Sequence, residues 1–168
     1  MSEPTLSSPH ATIFLDANTS ELDELRRRWD PVMASQIGAH VTIAYPLEVP
    51  ELYAMIERVR AAALTTVSFR LQLGSVVHDD DPGNGIFVEV HDTDAAWARL
   101  RALIAGRGVD EAMAPHLTLV HPRTSALGPA AWNALRALDC KRTIDVTAVA
   151  VTAFDGERWL TVSRHELI

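Results

Sequence analysis

Two hydrophobic periods alternate along this chain. A short apolar run at residues 12–15 predicts a first strand. Leu22, Leu25 and Trp29 then share one helical face behind a capping pair, Ser20 and Asp23, and Pro31 is expected to stop that helix. Residues 32–39 read as a connection. Residues 40–46 are His-Val-Thr-Ile-Ala-Tyr-Pro. As a strand they place Val41 and Ile43 on one face and His40 and Thr42 on the other. Pro50 opens a second helix with Leu52, Met55, Ile56 and Val59 as its buried stripe. Val67, Phe69, Leu71 and Leu73 alternate with polar residues, the pattern of a half-buried strand.

Residues 79–85, Asp-Asp-Asp-Pro-Gly-Asn-Gly, carry turn chemistry throughout. They read as a solvated hairpin loop and a hinge between halves, in preference to an acidic metal site. Beyond them the order repeats. Residues 86–90 form a strand, and residues 94–104 a helix carried by Trp97, Leu100 and Ile104 and closed by Gly106. Residues 116–122 are His-Leu-Thr-Leu-Val-His-Pro, a second strand of the same design. Pro129 opens another helix with Trp132 and Leu135. Residues 144–154 read as one long strand, Asp155-Gly156 as a hairpin turn, and residues 158–163 as the last strand.

The spacing from first strand to His, 12 to 40 and 86 to 116, is nearly equal in the two halves, which suggests a duplication. The expected fold is α+β and bilobal: two pseudo-symmetric lobes, each a mostly antiparallel sheet with outer helices, and a cleft between the sheets. The expected organisation is a flexible tail over residues 1–11 and a single domain over 12–168, its lobe halves at about 12–78 and 86–168.

Composition narrows the function. The 168 residues carry a formal net charge of −7, which argues against coating long nucleic acid but leaves room for a small or terminal phosphate. Cys140 is the sole cysteine, so neither a disulfide framework nor a cysteine zinc site is expected. Residues 1–10 do not resemble a signal peptide, no stretch approaches a membrane span, and a cytoplasmic location and a monomer are the default expectations.

The chemistry lies in the repeated strand. Two imidazoles across a cleft can act on opposite sides of one reacting centre, one taking a proton from the nucleophile and the other giving one to the leaving oxygen. Phosphodiester chemistry suits such a pair, because phosphorus sits between incoming and outgoing oxygens roughly in line. Hydroxyls two residues along can donate to the non-bridging oxygens. The scheme needs no metal, cofactor or covalent intermediate.

Two His-apolar-Thr-apolar tetrads, one per half, resemble those of the 2H phosphoesterase superfamily, which includes the 2′-5′ RNA ligase-like proteins and the cyclic phosphodiesterases. The resemblance runs from about Thr12 to Leu167, with its specificity in the tetrads; some members have Ser for either Thr, and here both are Thr. It implies a bilobal α+β fold and the opening of 2′,3′-cyclic phosphates on RNA termini or small nucleotides, or of ADP-ribose cyclic phosphate. It implies His40 and His116 as the acid/base pair, the first protonating the leaving oxygen and the second activating water, with Thr42 and Thr118 as phosphate donors. Arg123 is a candidate phosphate clamp and Phe14 a candidate base-stacking ring, against the plainer readings of a surface Arg and a core Phe. Strict alternation turns Tyr45 and His121 away from the cleft. His10, His78, His91 and His165 receive no role.

Three other readings are weighed. A non-catalytic nucleotide- or RNA-end-binding module would not need both histidines. A zinc hydrolase would need a third ligand, and none accompanies His40 and His116 at a recognisable spacing. A 2′-5′ RNA ligase activity would run the same site as joining, whereas ATP-dependent ligation lacks a Walker-type loop and a nucleotidyl-lysine motif.

Overall fold

A computed structural model describes residues 6–15, 20–79, 85–106 and 113–168. Most of the loop expected to act as a hinge, residues 80–84, lies outside these. The strands are β1 (Ser7–Phe14), β2 (His40–Ala44), β3 (Phe69–His78), β4 (Ile86–His91), β5 (His116–Val120), β6 (Asp139–Val146), β7 (Ala148–Phe154) and β8 (Trp159–Glu166). The helices are α1 (Ser20–Trp29), α2 (Pro31–Gln36), α3 (Leu52–Ala63), α4 (Ala96–Ala105) and α5 (Gly128–Leu135).

The strands form one eight-stranded sheet in the order β6-β3-β4-β5-β2-β1-β7-β8, and every neighbouring pair is antiparallel. The order is symmetric about its centre, where the two His strands meet through the pair Val41–Leu117. The helices tie the halves together. α4, which follows β4, packs on β2, while α1, which follows β1, packs on β5. α3 covers β1, β7 and β8, and α5 covers β3 and β4. One apolar cluster runs under both halves and includes Ile13, Val41, Ile43, Val88, Leu117 and Leu119. It lies on the helix side and leaves the opposite face of the two His strands free for polar side chains.

Several expectations are corrected. β1 begins at Ser7, so a tail ending at residue 11 is too long. α1 does stop at Trp29, just ahead of Pro31 as expected, but residues 32–39 are not a plain connection, because Pro31 starts a new helix. Its fixed φ suits a first helical turn, and it opens α2 behind Asp30, whose carboxylate accepts Met33 N at 3.0 Å. The long strand over 144–154 is two strands parted at Thr147. β6 pairs with β3 at one edge of the sheet, and β7 pairs with β1 and β8 toward the other. Sequence halves are therefore not sheet halves: β3 precedes the expected hinge yet pairs with β4 and β6. None of the described helices is long and apolar enough to cross a membrane.

Candidate active site

With Val41 opposite Leu117, His40 is level with Thr118 and Thr42 with His116. The two histidines are then diagonal neighbours on adjacent strands, a relation that places such residues about 7–8 Å apart, within reach of one group lying between long side chains. His116 adds to the positive potential felt by His40. All four candidate catalytic residues are half-buried and share the face away from the helices.

Each imidazole is fixed in the same way. His40 Nδ1–H donates to Gly38 O at 2.8 Å, and His116 Nδ1–H donates to Ala114 O at 3.2 Å, in both cases the carbonyl two residues back. A neutral ring held so presents a bare Nε2 to the cleft. Each ring also meets a phenylalanine edge. Phe14 lies 6.3 Å from His40 and Phe87 lies 5.3 Å from His116, centroid to centroid. Phe14 thus stands half-buried on the cleft wall and outside the core. Phe87 had no role in the sequence reading. Gly85 makes room for it, because a Cβ there would come within 2.6 Å of the Phe87 ring.

Burial pushes the His40 imidazole down to about 4, opposed by the Gly38 hydrogen bond and reinforced by Arg26, His10 and His116. His40 is therefore neutral at pH 7. Unfolding returns it to about 6.5, so between pH 6.5 and 4 the unfolded chain binds the extra proton and folding stability falls as pH falls. The loss attributable to His40 is at most about 3 kcal/mol. Denaturant titrations at pH 7 and pH 4.5 should show a steeper acid loss in the native protein than in His40→Gln.

Alternation fails just beyond each tetrad, for a reason common to both. Ala11 pairs with Ala44 but Thr12 with Thr42; Ile86 pairs with Val120 but Phe87 with Thr118. Ile43 and Leu119 are thus the extra residues of two equivalent β-bulges. Both strands show the same burial, with the last two residues buried together. The bulge turns the next residue back, so Tyr45 and His121 face the cleft, contrary to expectation. A hydrogen bond links the Thr42 hydroxyl to the Tyr45 phenol, and burial pushes that phenol up.

His10 is a further cleft residue that sequence reasoning left unassigned. Its Nδ1–H donates to Ser8 O at 3.0 Å, the geometry of the two tetrad histidines. Ser8 has φ 52, left-handed for a non-glycine residue, beside a bulge where β1 slips against β7. His10 packs edge-on against Tyr45 and Trp159, and burial lowers its pKa. His121 is held in the opposite tautomer: its Nδ1 accepts Arg123 N at 3.1 Å, leaving Nε2–H as a donor. Arg123 and His121 line a common pocket of about 170 Å³.

Buried charges hold the His strands from behind. Arg101 of α4 donates to Ile43 O and to Glu48, whose carboxylate accepts Tyr45 N at 2.9 Å. Arg26 of α1 donates to Thr118 O at 3.2 Å and to Ile37 O at 2.8 Å. Asp30, fully buried, also accepts His121 N at 2.8 Å and the Thr124 hydroxyl at 2.7 Å, seating the loop after β5. Among the described residues no group of three or more His, Cys, Asp or Glu side chains is placed to hold a metal ion.

No curated protein sequence matches the chain. Among solved structures, Escherichia coli LigT complexed with NADP+ superposes with TM-score 0.63 at 18% identity, covering 99% of both chains. LigT complexed with 3′-AMP gives TM-score 0.64 at 17% identity over 97% of this chain and 99% of that one. The protein TT0787 of Thermus thermophilus gives 0.64 at 14% identity over 95% and 97%. At these identities the likeness establishes the fold. The model of the 2′-5′ RNA ligase superfamily matches residues 14–158, most of the chain and both tetrads. The protein belongs to the 2′-5′ RNA ligase superfamily of 2H phosphoesterases.

Proposed function

We propose that this protein is a phosphoesterase that opens 2′,3′-cyclic phosphates to phosphomonoesters by acid–base catalysis between His40 and His116. The observation that carries the reading is the pair of imidazoles on adjacent strands, each pinned through Nδ1 and each presenting Nε2 to one cleft. Solved LigT complexes with 3′-AMP, ATP and NADP+ make a nucleotide-sized ligand a reasonable occupant of the same fold here.

In the proposed cycle phosphorus lies between the rings. His40, neutral at pH 7, takes a proton from water on Nε2 as the water oxygen bonds to phosphorus. The ring ester bond to one ribose oxygen breaks, and an imidazolium at His116 delivers its Nε2 proton to that oxygen. His40 ends protonated and His116 neutral, and exchange with solvent resets both. Thr42 and Thr118 donate to the non-bridging oxygens, where charge grows in the transition state. A His40 ring kept neutral at pH 7 supports the base role for it in this proposal, the reverse of the order implied by family resemblance alone.

A panel of 2′,3′-cyclic nucleotides, cyclic-phosphate-ended oligomers and ADP-ribose cyclic phosphate, assayed with chelator present, tests this function. At least one should open to the monoester, with kcat/KM holding on the acid side well below pH 6.5 because that limb reports the free base. A full panel without turnover would refute the enzyme, and an acid limb centred near 6.5 would refute His40 as its base.

A further inference from the structure

Cross-strand pairing orders the side chains on each cleft wall. On the half-sheet bearing His40, Phe14 stands beside His40 and Thr12 beside Thr42, then His10 beside Thr152 and Phe154 beside Trp159. On the other half, Glu89 stands beside His116 and Phe87 beside Thr118, with exposed His91 and Gln72 beyond them. The first wall is aromatic and hydroxyl-bearing, the second largely polar. The pseudo-symmetry of the His strands is thus broken by what flanks them, and a bound substrate would have a direction.

The aromatic row is continuous. The Trp159 ring meets His10 at 4.5 Å and Phe154 at 5.4 Å, and His10 meets Tyr45 at 5.5 Å. At its far end Phe154 and Trp159 share the 170 Å³ pocket with Gln36 of α2 and with His121 and Arg123 of the loop after β5. The polar groups there favour an anion. His121 offers Nε2–H even when neutral. The Arg123 guanidinium has no carboxylate partner among the described residues. Asp30, the carboxylate that touches this loop, is occupied by Met33 N, His121 N and the Thr124 hydroxyl. Aromatic rings that line one pocket with a guanidinium and an imidazole N–H match a flat heteroaromatic ring joined to a phosphate.

We propose that this pocket is a subsite for a nucleobase together with a second phosphate, so that the preferred substrate carries both beyond the cyclic phosphate being opened. The subsite rests on the catalytic reading above only for where the reacting phosphorus lies. Substrates with this chemistry come from two sources, the end of an oligonucleotide and a pyrophosphate-linked dinucleotide. A mononucleoside cyclic phosphate has no second phosphate to offer Arg123. The pocket is small and the chain acidic, at a net charge of −7, so one terminal unit fits where a long backbone does not.

Calorimetric binding to the full chain at pH 7 tests the subsite without requiring turnover. The probes are 3′-AMP, the dinucleotide ApAp ending in a 3′-phosphate, and ADP-ribose 1″-phosphate. At least one of the larger two should bind about 10-fold or more tighter than 3′-AMP, the worth of one charge-assisted hydrogen bond. Which one does identifies the source. Arg123→Gln should erase most of that advantage, and Trp159→Leu should reduce it while Trp159→Phe keeps part. Equal affinity for all three probes, equal weakening of all three by Arg123→Gln, or no binding of any would overturn the subsite. An Arg123-dependent preference in a protein that opens no cyclic phosphate would preserve the subsite and remove the enzyme. Turnover indifferent to the second phosphate would do the opposite.

Discussion

Alanine at His40 or at His116 is expected to lower kcat/KM on a 2′,3′-cyclic phosphate by about 10²–10⁴-fold, the usual contribution of a positioned proton carrier. Each ring is held by a main-chain carbonyl two residues back, so truncation removes the proton carrier and leaves the strand pairing in place. The double variant should be little worse than either single one, because a relay lacking one member gains little from the other. Thr42→Val and Thr118→Val should cost less, since each removes one donor to the phosphate and spares the proton path. Turnover within a few-fold of the native rate in either His→Ala variant would contradict the assignment.

The largest stability effect is expected at Arg101. Its side chain is 4% exposed and that of its partner Glu48 17%, and the pair joins α4 to the end of β2. Arg101→Ala strands a mostly buried carboxylate and strips Ile43 O of its donor. Breaking a buried pair in this way costs about 3–5 kcal/mol, a large share of the stability of a domain this size. A surface pair such as Arg27–Glu24 should be worth less than about 1 kcal/mol. Arg101→Met with Glu48→Gln removes both charges and should recover part of the loss. Denaturant midpoints compared across these variants measure the difference, and an Arg101→Ala protein within about 1 kcal/mol of native would contradict the account.

The tetrads and most elements were legible because period-2 and period-3.6 patterning is clean there. What escaped notice depended on pairing between distant strands. Tyr45 and His121 follow doublets, Ile43-Ala44 and Leu119-Val120, that break alternation identically in both copies. That repetition was the available signal for the bulges. The buried arginines carried a similar one. Arg26 follows Leu22 and Leu25 and precedes Trp29, and Arg101 follows Trp97 and Leu100 and precedes Ile104, so each sits within an apolar stripe, one residue after its second member. A charge at the same place in two core-facing stripes points to a buried partner. The break at Thr147 had no such mark. Apolar residues continue on both sides, and only the separate partners of β6 and β7 divide the run. His10 was lost with the tail, since residues 7–10 look polar and become strand only through pairing with β7.

Both imidazoles must address the same phosphate, and imidazole NMR reads this directly. One equivalent of 2′-AMP, one of the two monoesters that ring opening can yield, added to the ring-¹⁵N-labelled protein should shift the Nε2 resonances of His40 and His116 together. The two titrations should share a single dissociation constant, with His165 unmoved. If only one of the two rings responds, or if they report different affinities, they do not flank one phosphorus atom and the proposed catalysis fails.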